Sequence, residues 1–172
     1  MLSLTDPKWS ELQSTYGSGT RVAELLSRAE RGVPFDRWYD ELFQELCHQY
    51  TVSKAAYAAV PHLVTLAQND KEARKHLLLL AGSCYAFSQV PGAPSMPAGF
   101  EEEWHAAARD AIPLLAEVLS GDQLSESDLR YLLFSLAAVQ GHHSLALAIE
   151  ALDSERECPN CGTRFERPDP MA

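Results

Sequence analysis

Two segments of this chain repeat one pattern. Residues 55–67 read AAYAAVPHLVTLA, and residues 107–119 read AARDAIPLLAEVL. Each begins with small residues, places a β-branched residue before a proline (Val60-Pro61 and Ile112-Pro113) and continues with an aliphatic run. A pattern that returns after tens of residues is typical of proteins built from stacked helical units. Because such units stack into an extended surface, the repeat favours a binding function over a catalytic one.

Helical spacing of apolar residues dominates the chain. Trp9, Leu12 and Tyr16 are spaced as on one helix face, and the glycines that follow end the segment. A later helix is predicted from Asp36 to about Gln49. Further helices are predicted to begin at Thr20, at Thr51 or Ser53, at Lys71, Phe100, Ser125 and Ser144. No window alternates over a strand length, so the sequence predicts an all-α fold of roughly seven or eight helices, stacked as HEAT or armadillo-like hairpins.

A proline-rich segment interrupts this helical pattern. Residues 90–99 read VPGAPSMPAG, and we expect a loop that bridges two repeat units or forms a functional rim. Residues 1–153 are predicted to form one α-helical HEAT-like domain. Residues 154–172 are predicted to form a short tail that carries a CxxC motif.

The chain is acidic, with 24 acidic and 14 basic residues and a net charge of −10. Nucleic acid is a poor partner for it, because binding a duplex requires clustered Lys and Arg. A basic protein would be attracted to an acidic surface, although acidity also serves solubility alone. Apolar stretches such as Leu77–Ala81 are far shorter than the roughly 20 residues of a membrane-spanning helix. The opening MLSLTDPKWSEL does not have the pattern of a signal peptide, so we expect a cytoplasmic protein that does not enter the membrane.

The tail contains the sharpest local motif, Cys158-Pro159-Asn160-Cys161-Gly162. Two thiolates at this spacing form half of a tetrahedral zinc site, and no second pair follows. Cys47-His48 completes the site only if the tail folds back, and a homodimer that shares two CxxC pairs is the other route to four ligands. The motif is otherwise a surface thiol pair or, least favoured, a redox pair. Zinc is therefore the cofactor to test, with no cofactor at all as the alternative.

Two further groups of residues are candidates for contact with a partner. His48 and Gln49, with Thr51, lie at a predicted helix end and turn, where they could line a polar pocket. The alternative is that His48 and Thr51 satisfy backbone groups between the helices. Glu101, Glu102 and Glu103 open a helix, where carboxylates offset the positive helix end by about 1 kcal/mol or less. Together with Trp104 they also form an acidic edge beside an aromatic anchor, which suits a basic partner.

A family resemblance gives these patterns a functional direction. The segments YGSGTRVAELL (16–26) and ELFQELCHQYTVSKAAYAAVPHLVTLA (41–67) resemble a family of small bacterial HEAT-like proteins, with the Cys-His-Gln-x-Thr-Val block as the specific part. This chain departs from the family pattern at Tyr50, where glycine is usual, and at Ser53, where tyrosine is frequent. The resemblance implies a binding role beside secreted toxins and no enzyme activity.

The sequence therefore favours a noncatalytic immunity-type protein that neutralises a cognate, basic toxin by direct binding. It contains no Gly-rich phosphate loop, no G-x-S-x-G and no H-E-x-x-H. The main alternative is a zinc-binding adaptor or assembly protein that oligomerises through its CxxC tail. A HEAT-like nucleobase glycosylase is a third interpretation, and the charge of −10 argues against it because such enzymes hold DNA in a basic groove.

Overall fold

A computed structural model describes residues 1–121, 124–153, 156–157 and 164–165. Seven α-helices lie in this part of the chain, with three short 3-10 helices and two antiparallel pairs of two-residue strands. The elements are α1 (Thr20–Glu30), α2 (Tyr39–Leu46), β1 (Cys47–His48), β2 (Thr51–Val52), α3 (Lys54–Asn69), α4 (Arg74–Phe87), α5 (Glu101–Leu119), α6 (Glu126–Val139), α7 (His143–Glu150), β3 (Arg156–Glu157) and β4 (Arg164–Phe165). None of the described helices is both long and apolar enough to cross a lipid bilayer.

The helices stack as hairpins in two layers. In the first layer α3 packs between α1 and α5, and in the second α4 packs against α6. The successive hairpins α1–α2, α3–α4 and α5–α6 join the layers, and α7 closes the stack against α6. Each hairpin thus contacts its neighbour along the chain, as in helical repeat proteins. The prediction of an all-α, repeat-like stack of helices is confirmed.

The repeated sequence segments occupy matching positions in this stack. Pro61 lies inside α3 and Pro113 lies inside α5, and these two helices pack against each other. Their surroundings differ, because α3 has neighbours on both sides whereas α5 ends its layer. Pro61 is therefore buried and Pro113 is exposed. The repeat describes the scaffold, but the two copies do not offer the same surface.

Two sequence-based helix assignments were wrong. The segment with Trp9, Leu12 and Tyr16 is a 3-10 helix, Pro7–Ser10, followed by a turn in which Gln13 and Ser18 form a β-bridge. Trp9 and Leu12 are buried, but this turn leaves Tyr16 62% exposed.

The helix predicted from Asp36 to Gln49 is shorter than expected at both ends. Phe35–Arg37 is a separate 3-10 helix, and the backbone at Cys47 is already extended, so α2 covers only Tyr39–Leu46. The chain then forms β1 and β2 before α3 begins.

A buried arginine ties the two repeat units together. Arg74 is 7% exposed, and its guanidinium donates to the carbonyl oxygens of Ala67 (2.7 Å) and Gln68 (3.2 Å) at the end of α3. Its third contact is an ion pair with Glu117 of α5 at 2.8 Å. Helix ends leave carbonyl groups without partners, so Arg74 both caps α3 and fixes α5 beside it.

We expect the close approach of α4 and α6 to tolerate no side chain at Gly82. A Cβ atom there would lie 2.6 Å from the Cα of Ser135, which is backbone and cannot move aside. Gly82→Ala should therefore lower the free energy of unfolding by about 3 kcal/mol, measured by urea denaturation.

Gly17→Ala is the matched control, because a Cβ at Gly17 meets no atom within 4 Å. A Gly82→Ala protein that is as stable as the control would contradict the packing described for α4 and α6.

Candidate functional site

A tight β-hairpin joins α2 to α3 and carries two of the residues singled out in the sequence. Cys47 and Val52 form one cross-strand pair, and both face the core, at 2% and 4% exposure. His48 and Thr51 form the other pair and face outward, as strand alternation requires. The two residues between the strands, Gln49 and Tyr50, have φ angles of 48° and 62°. Both φ angles are positive, as in a type I′ turn, a geometry that favours glycine and asparagine.

Tyr16 reaches this hairpin from the N-terminal segment. Its hydroxyl oxygen lies 3.1 Å from Nδ1 of His48, and Oε1 of Gln44 lies 3.0 Å from the same nitrogen. A proton on Nδ1 is donated to Gln44, whereas in the other neutral tautomer Tyr16 donates to Nδ1. The N–H of Thr15 also donates to the carbonyl of Glu45, at 3.0 Å. Residues far apart in the sequence are thus held in one place.

Tyr50 fixes the other side of the hairpin tip. Its ring is 59% exposed and packs edge-on against Phe87, with ring centroids 5.5 Å apart. Its hydroxyl is hydrogen-bonded to Glu150, and this bond with the carboxylate charge raises the pKa of Tyr50. We call Tyr16, Gln44, His48, Gln49 and Tyr50 the hairpin surface.

A pocket of about 250 Å³ adjoins the hairpin surface. Aromatic side chains and a few polar groups form its walls, a composition that suits an inserted side chain of a partner. Its lining residues are Phe43, Cys47, His48, Gln49, Tyr50, Ser83, Phe87, Tyr131, Phe134 and Glu150.

Beneath the hairpin, Cys47 and Cys84 form a buried thiol pair. Their Sγ atoms are 3.4 Å apart, and both cysteines are free. Burial and the neighbouring thiol raise the pKa of Cys84 well above its ordinary value, which keeps it protonated. Cys47 is therefore a core residue in this structure, with its thiol directed to Cys84.

The acidic edge predicted from the sequence lies on a different element, the first turn of α5. Oε2 of Glu101 accepts a hydrogen bond from the Gly99 N–H at 2.8 Å. Oε1 of Glu103 lies 3.0 Å from the amino group of Met1, and this contact lowers the pKa of Glu103. Glu102 is exposed. Glu101 thus bonds to the backbone just before its own helix, whereas Glu103 pairs with the amino terminus of the chain.

The expectation that Trp104 serves as an exposed aromatic anchor was wrong. Trp104 is 4% exposed, and its ring packs against the rings of Tyr57 and Tyr85, with centroids at 4.8 and 4.2 Å. Its carbonyl oxygen accepts a hydrogen bond from the Tyr85 hydroxyl at 2.6 Å. The proline-rich loop reaches the same cluster, because the Tyr57 hydroxyl donates to the carbonyl of Pro94.

The predicted zinc ligands Cys158 and Cys161 lie outside the described residues. The flanking strands β3 and β4 are described and pair antiparallel, with Arg156 opposite Phe165 and Glu157 opposite Arg164. In the part of the chain that the structure covers, no group of three or more His, Cys, Asp or Glu side chains could hold a metal ion.

The structure brings His48 and Gln49 together at one turn and places Glu101–Glu103 elsewhere. Tyr16, Gln44 and Tyr50 are the members of the hairpin surface that sequence reasoning missed as binding residues. The spacing of Tyr16 indicated a helix face. Its only link with binding in the sequence was the Tyr-Gly pair at the start of segment 16–26, which carries part of the family resemblance.

No protein family, curated protein or solved structure that we compared matches this chain.

We expect Gln49→Gly to stabilise the protein by about 1 kcal/mol, because glycine adopts a positive φ without steric cost. Gln49 is exposed, so little packing is lost. Urea denaturation measures the change. As a control, Gln68→Gly in α3, at an exposed helical position, should destabilise by about 1 kcal/mol. Equal destabilisation of both variants would contradict a positive φ at Gln49.

The contact between Tyr50 and Glu150 predicts a pH dependence. The pKa of Tyr50 is raised above 10.0 in the folded state, so its contribution to stability is complete below pH 10.0. That contribution is lost as the pH rises through the folded-state pKa. Glu150→Gln should lower the pKa of Tyr50, measured from its ring ¹³C resonance, and Glu72→Gln should leave it unchanged. An unshifted Tyr50 in Glu150→Gln would contradict the contact.

Proposed function

We propose that this protein is a noncatalytic binding protein of the bacterial immunity type, which neutralises a cognate toxin by direct contact through the hairpin surface. The observation that carries the proposal is the contact between Tyr16 and His48. Tyr16 belongs to the Tyr-Gly part of the family resemblance, and His48 belongs to its Cys-His-Gln part. Their side chains lie 3.1 Å apart. Two parts of one sequence pattern that lie together on an exposed surface favour a shared role in binding.

The chemistry of the hairpin surface suits protein recognition. Tyr16 and Tyr50 are 62% and 59% exposed, and tyrosine is enriched among the residues that dominate binding energy. Each has a hydroxyl already oriented by a neighbour, which lowers the entropy lost on binding. The adjoining pocket of about 250 Å³ offers a place for one anchoring side chain of the partner.

The departure from the family pattern at Tyr50 has a physical explanation on this proposal. Its φ of 62° lies in the region that glycine adopts at least cost, which fits glycine being usual there. A tyrosine in this position adds strain and also adds an exposed ring. We infer that Tyr50 contributes to specificity for the partner of this particular chain.

The net charge of this chain indicates the charge that we expect its partner to carry. The chain carries −10, so a basic toxin would be drawn to it and would associate faster at low salt. The acidic first turn of α5 contributes to this attraction, whereas the hairpin surface, which contains no Asp, Glu, Lys or Arg, supplies the contacts that hold the complex.

The test is binding and rescue with the product of the neighbouring gene. The wild-type protein should co-elute with that product and protect cells that express it. Combining Tyr16→Ala with His48→Ala should weaken binding by about a hundredfold through faster dissociation, because central aromatic contacts dominate interfaces. Binding kinetics at two salt concentrations supply the measurement.

Two control variants distinguish the hairpin surface from the acidic first turn of α5 and from an unrelated exposed carboxylate. Combining Glu101→Gln with Glu102→Gln should slow association by less than about tenfold, mainly at low salt. Glu72→Gln, in the turn just before α4, should leave both association and dissociation unchanged. Absence of both a complex and rescue refutes the proposed function, and full affinity in the Tyr16/His48 variant refutes the surface.

A second candidate function is favoured by the pairing of β3 with β4. Residues 156–157 and 164–165, on either side of positions 158–163, pair as neighbouring strands, an arrangement compatible with a zinc knuckle between them. On this proposal Cys158 and Cys161 of two chains bind one zinc ion and join the chains in an adaptor assembly.

Metal analysis with mass measurement tests this second proposal. Four thiolates per ion predict about half an equivalent of zinc per chain and a dimer that a chelator dissociates. Cys158→Ser should abolish both properties, and Cys84→Ser should abolish neither. Wild-type protein that is monomeric and free of zinc after expression with added zinc would exclude a shared site.

A further inference from the structure

Cys47 and Cys84 meet in the core although they belong to distant parts of the chain. Cys47 is the first residue of β1, Cys84 lies in the last turn of α4, and 37 positions separate them. Their Sγ atoms are 3.4 Å apart, and the two residues are 2% and 0% exposed. Because a disulfide bond is about 2.05 Å long, the sulfur atoms need to approach by only roughly 1.4 Å to form one.

The backbone holds both thiols in this position. Cys47 faces the core together with its cross-strand partner Val52, and the Ser53 N–H donates to the Leu46 carbonyl at 2.9 Å, which closes the hairpin. On the other side, α4 is packed between α3 and α6, which fixes the helix that carries Cys84. Two groups that a fold keeps in contact react with each other at a high effective concentration.

The closed core favours a bond between the two sulfurs over other thiol products. Burial and the neighbouring Cys47 thiol raise the pKa of Cys84, so the pair does not react with an outside reagent while the core is closed. When the core opens, a disulfide reagent attaches to either cysteine. The core cannot close over such an adduct, because protein interiors are packed without room for an extra group. Refolding therefore selects either the two free thiols or the bond between them.

We propose that Cys47 and Cys84 are a site of reversible disulfide formation, which cross-links the hairpin to α4 in the presence of a low-molecular-weight disulfide such as glutathione disulfide. One of the two sulfurs, as a thiolate, attacks the S–S bond of the reagent and releases one glutathione thiolate. The second protein sulfur then attacks this mixed disulfide and releases the other. The two protons of the protein thiols end on the released glutathione, so one disulfide is consumed for each one formed. The cross-link does not depend on what the hairpin surface binds.

Equilibration of the full-length protein with mixtures of reduced and oxidised glutathione tests the proposal. The cross-link should be about a hundredfold more favourable in buffer than in denaturing urea, because only the folded state holds the two thiols together. Equilibrium is approached both from reduced protein and by refolding from urea in oxidised glutathione, so slow opening of the core does not decide the result.

Peptide mapping assigns the bond. After alkylation of the remaining thiols, trypsin leaves Cys47 in peptide 38–54 and Cys84 in peptide 76–109, and we expect mass spectrometry to find these two peptides joined. Cys158 and Cys161 both fall in peptide 157–164, so a bond between them is distinguished directly.

The melting temperature provides a second readout. A bond that is a hundredfold more favourable in the folded state stabilises that state by the same factor, which should raise the melting temperature by about 5–10 °C. Dithiothreitol should reverse the rise. Cys47→Ala and Cys84→Ala should show neither the joined peptides nor the rise. The matched control combines Cys158→Ser with Cys161→Ser, which keeps the core pair and should show both.

Two results would overturn the proposal. The first is a cross-link between peptides 38–54 and 76–109 that is no more favourable in buffer than in urea. The second is an unchanged or lower melting temperature for the cross-linked Cys158/Cys161 variant, since the folded core would then not accommodate the bond.

Discussion

Burial of α3 is the constraint on which the rest of the structure depends. Between Ala55 and Val64 every residue of this helix is buried, which is possible only because it is lined mainly with alanine and aliphatic side chains. Small residues allow α1, α4 and α5 to approach it closely. The N-terminal segment covers it too, since the His62 ring lies 2.8 Å from the Leu2 carbonyl and the Trp9 ring packs beside it. With α3 enclosed in this way, the features at its two ends are fixed in place.

Each end of α3 has its own anchor. At the C-terminal end, Arg74 binds the last carbonyl groups and holds α5 through Glu117. At the N-terminal end, the Ala55 N–H bonds to the Gln13 carbonyl and the Ser53 N–H bonds to the Leu46 carbonyl. These bonds attach the turn that carries Tyr16 and the hairpin that carries His48 to the same helix. The candidate site is therefore attached directly to the buried helix α3, which on the proposed function lowers the ordering that binding requires.

The sequence predicted the scaffold better than the site. Apolar spacing and the Pro61 and Pro113 copies predicted most of the helices, because helical periodicity and repetition are local signals. The hairpin was missed because its strands have two residues each, too few for alternation, and because Gln49-Tyr50 is not a turn sequence. Trp104 was misassigned because exposure depends on what folds over a residue, and the contacts with Tyr57 and Tyr85 come from other helices. No sequence pattern predicted the capping role of Arg74, because that role depends on where the end of a neighbouring helix lies.

The central claim is that the hairpin surface is a preformed part of the α3 scaffold. Hydrogen exchange of the free protein tests it directly. The amides of Ser53 and Ala55 should be protected to within about tenfold of Leu63 and Val64 in the middle of α3, because all four open only with the core. Exchange of Ser53 and Ala55 at the rates of an unfolded chain, with the middle of α3 still protected, would contradict the account.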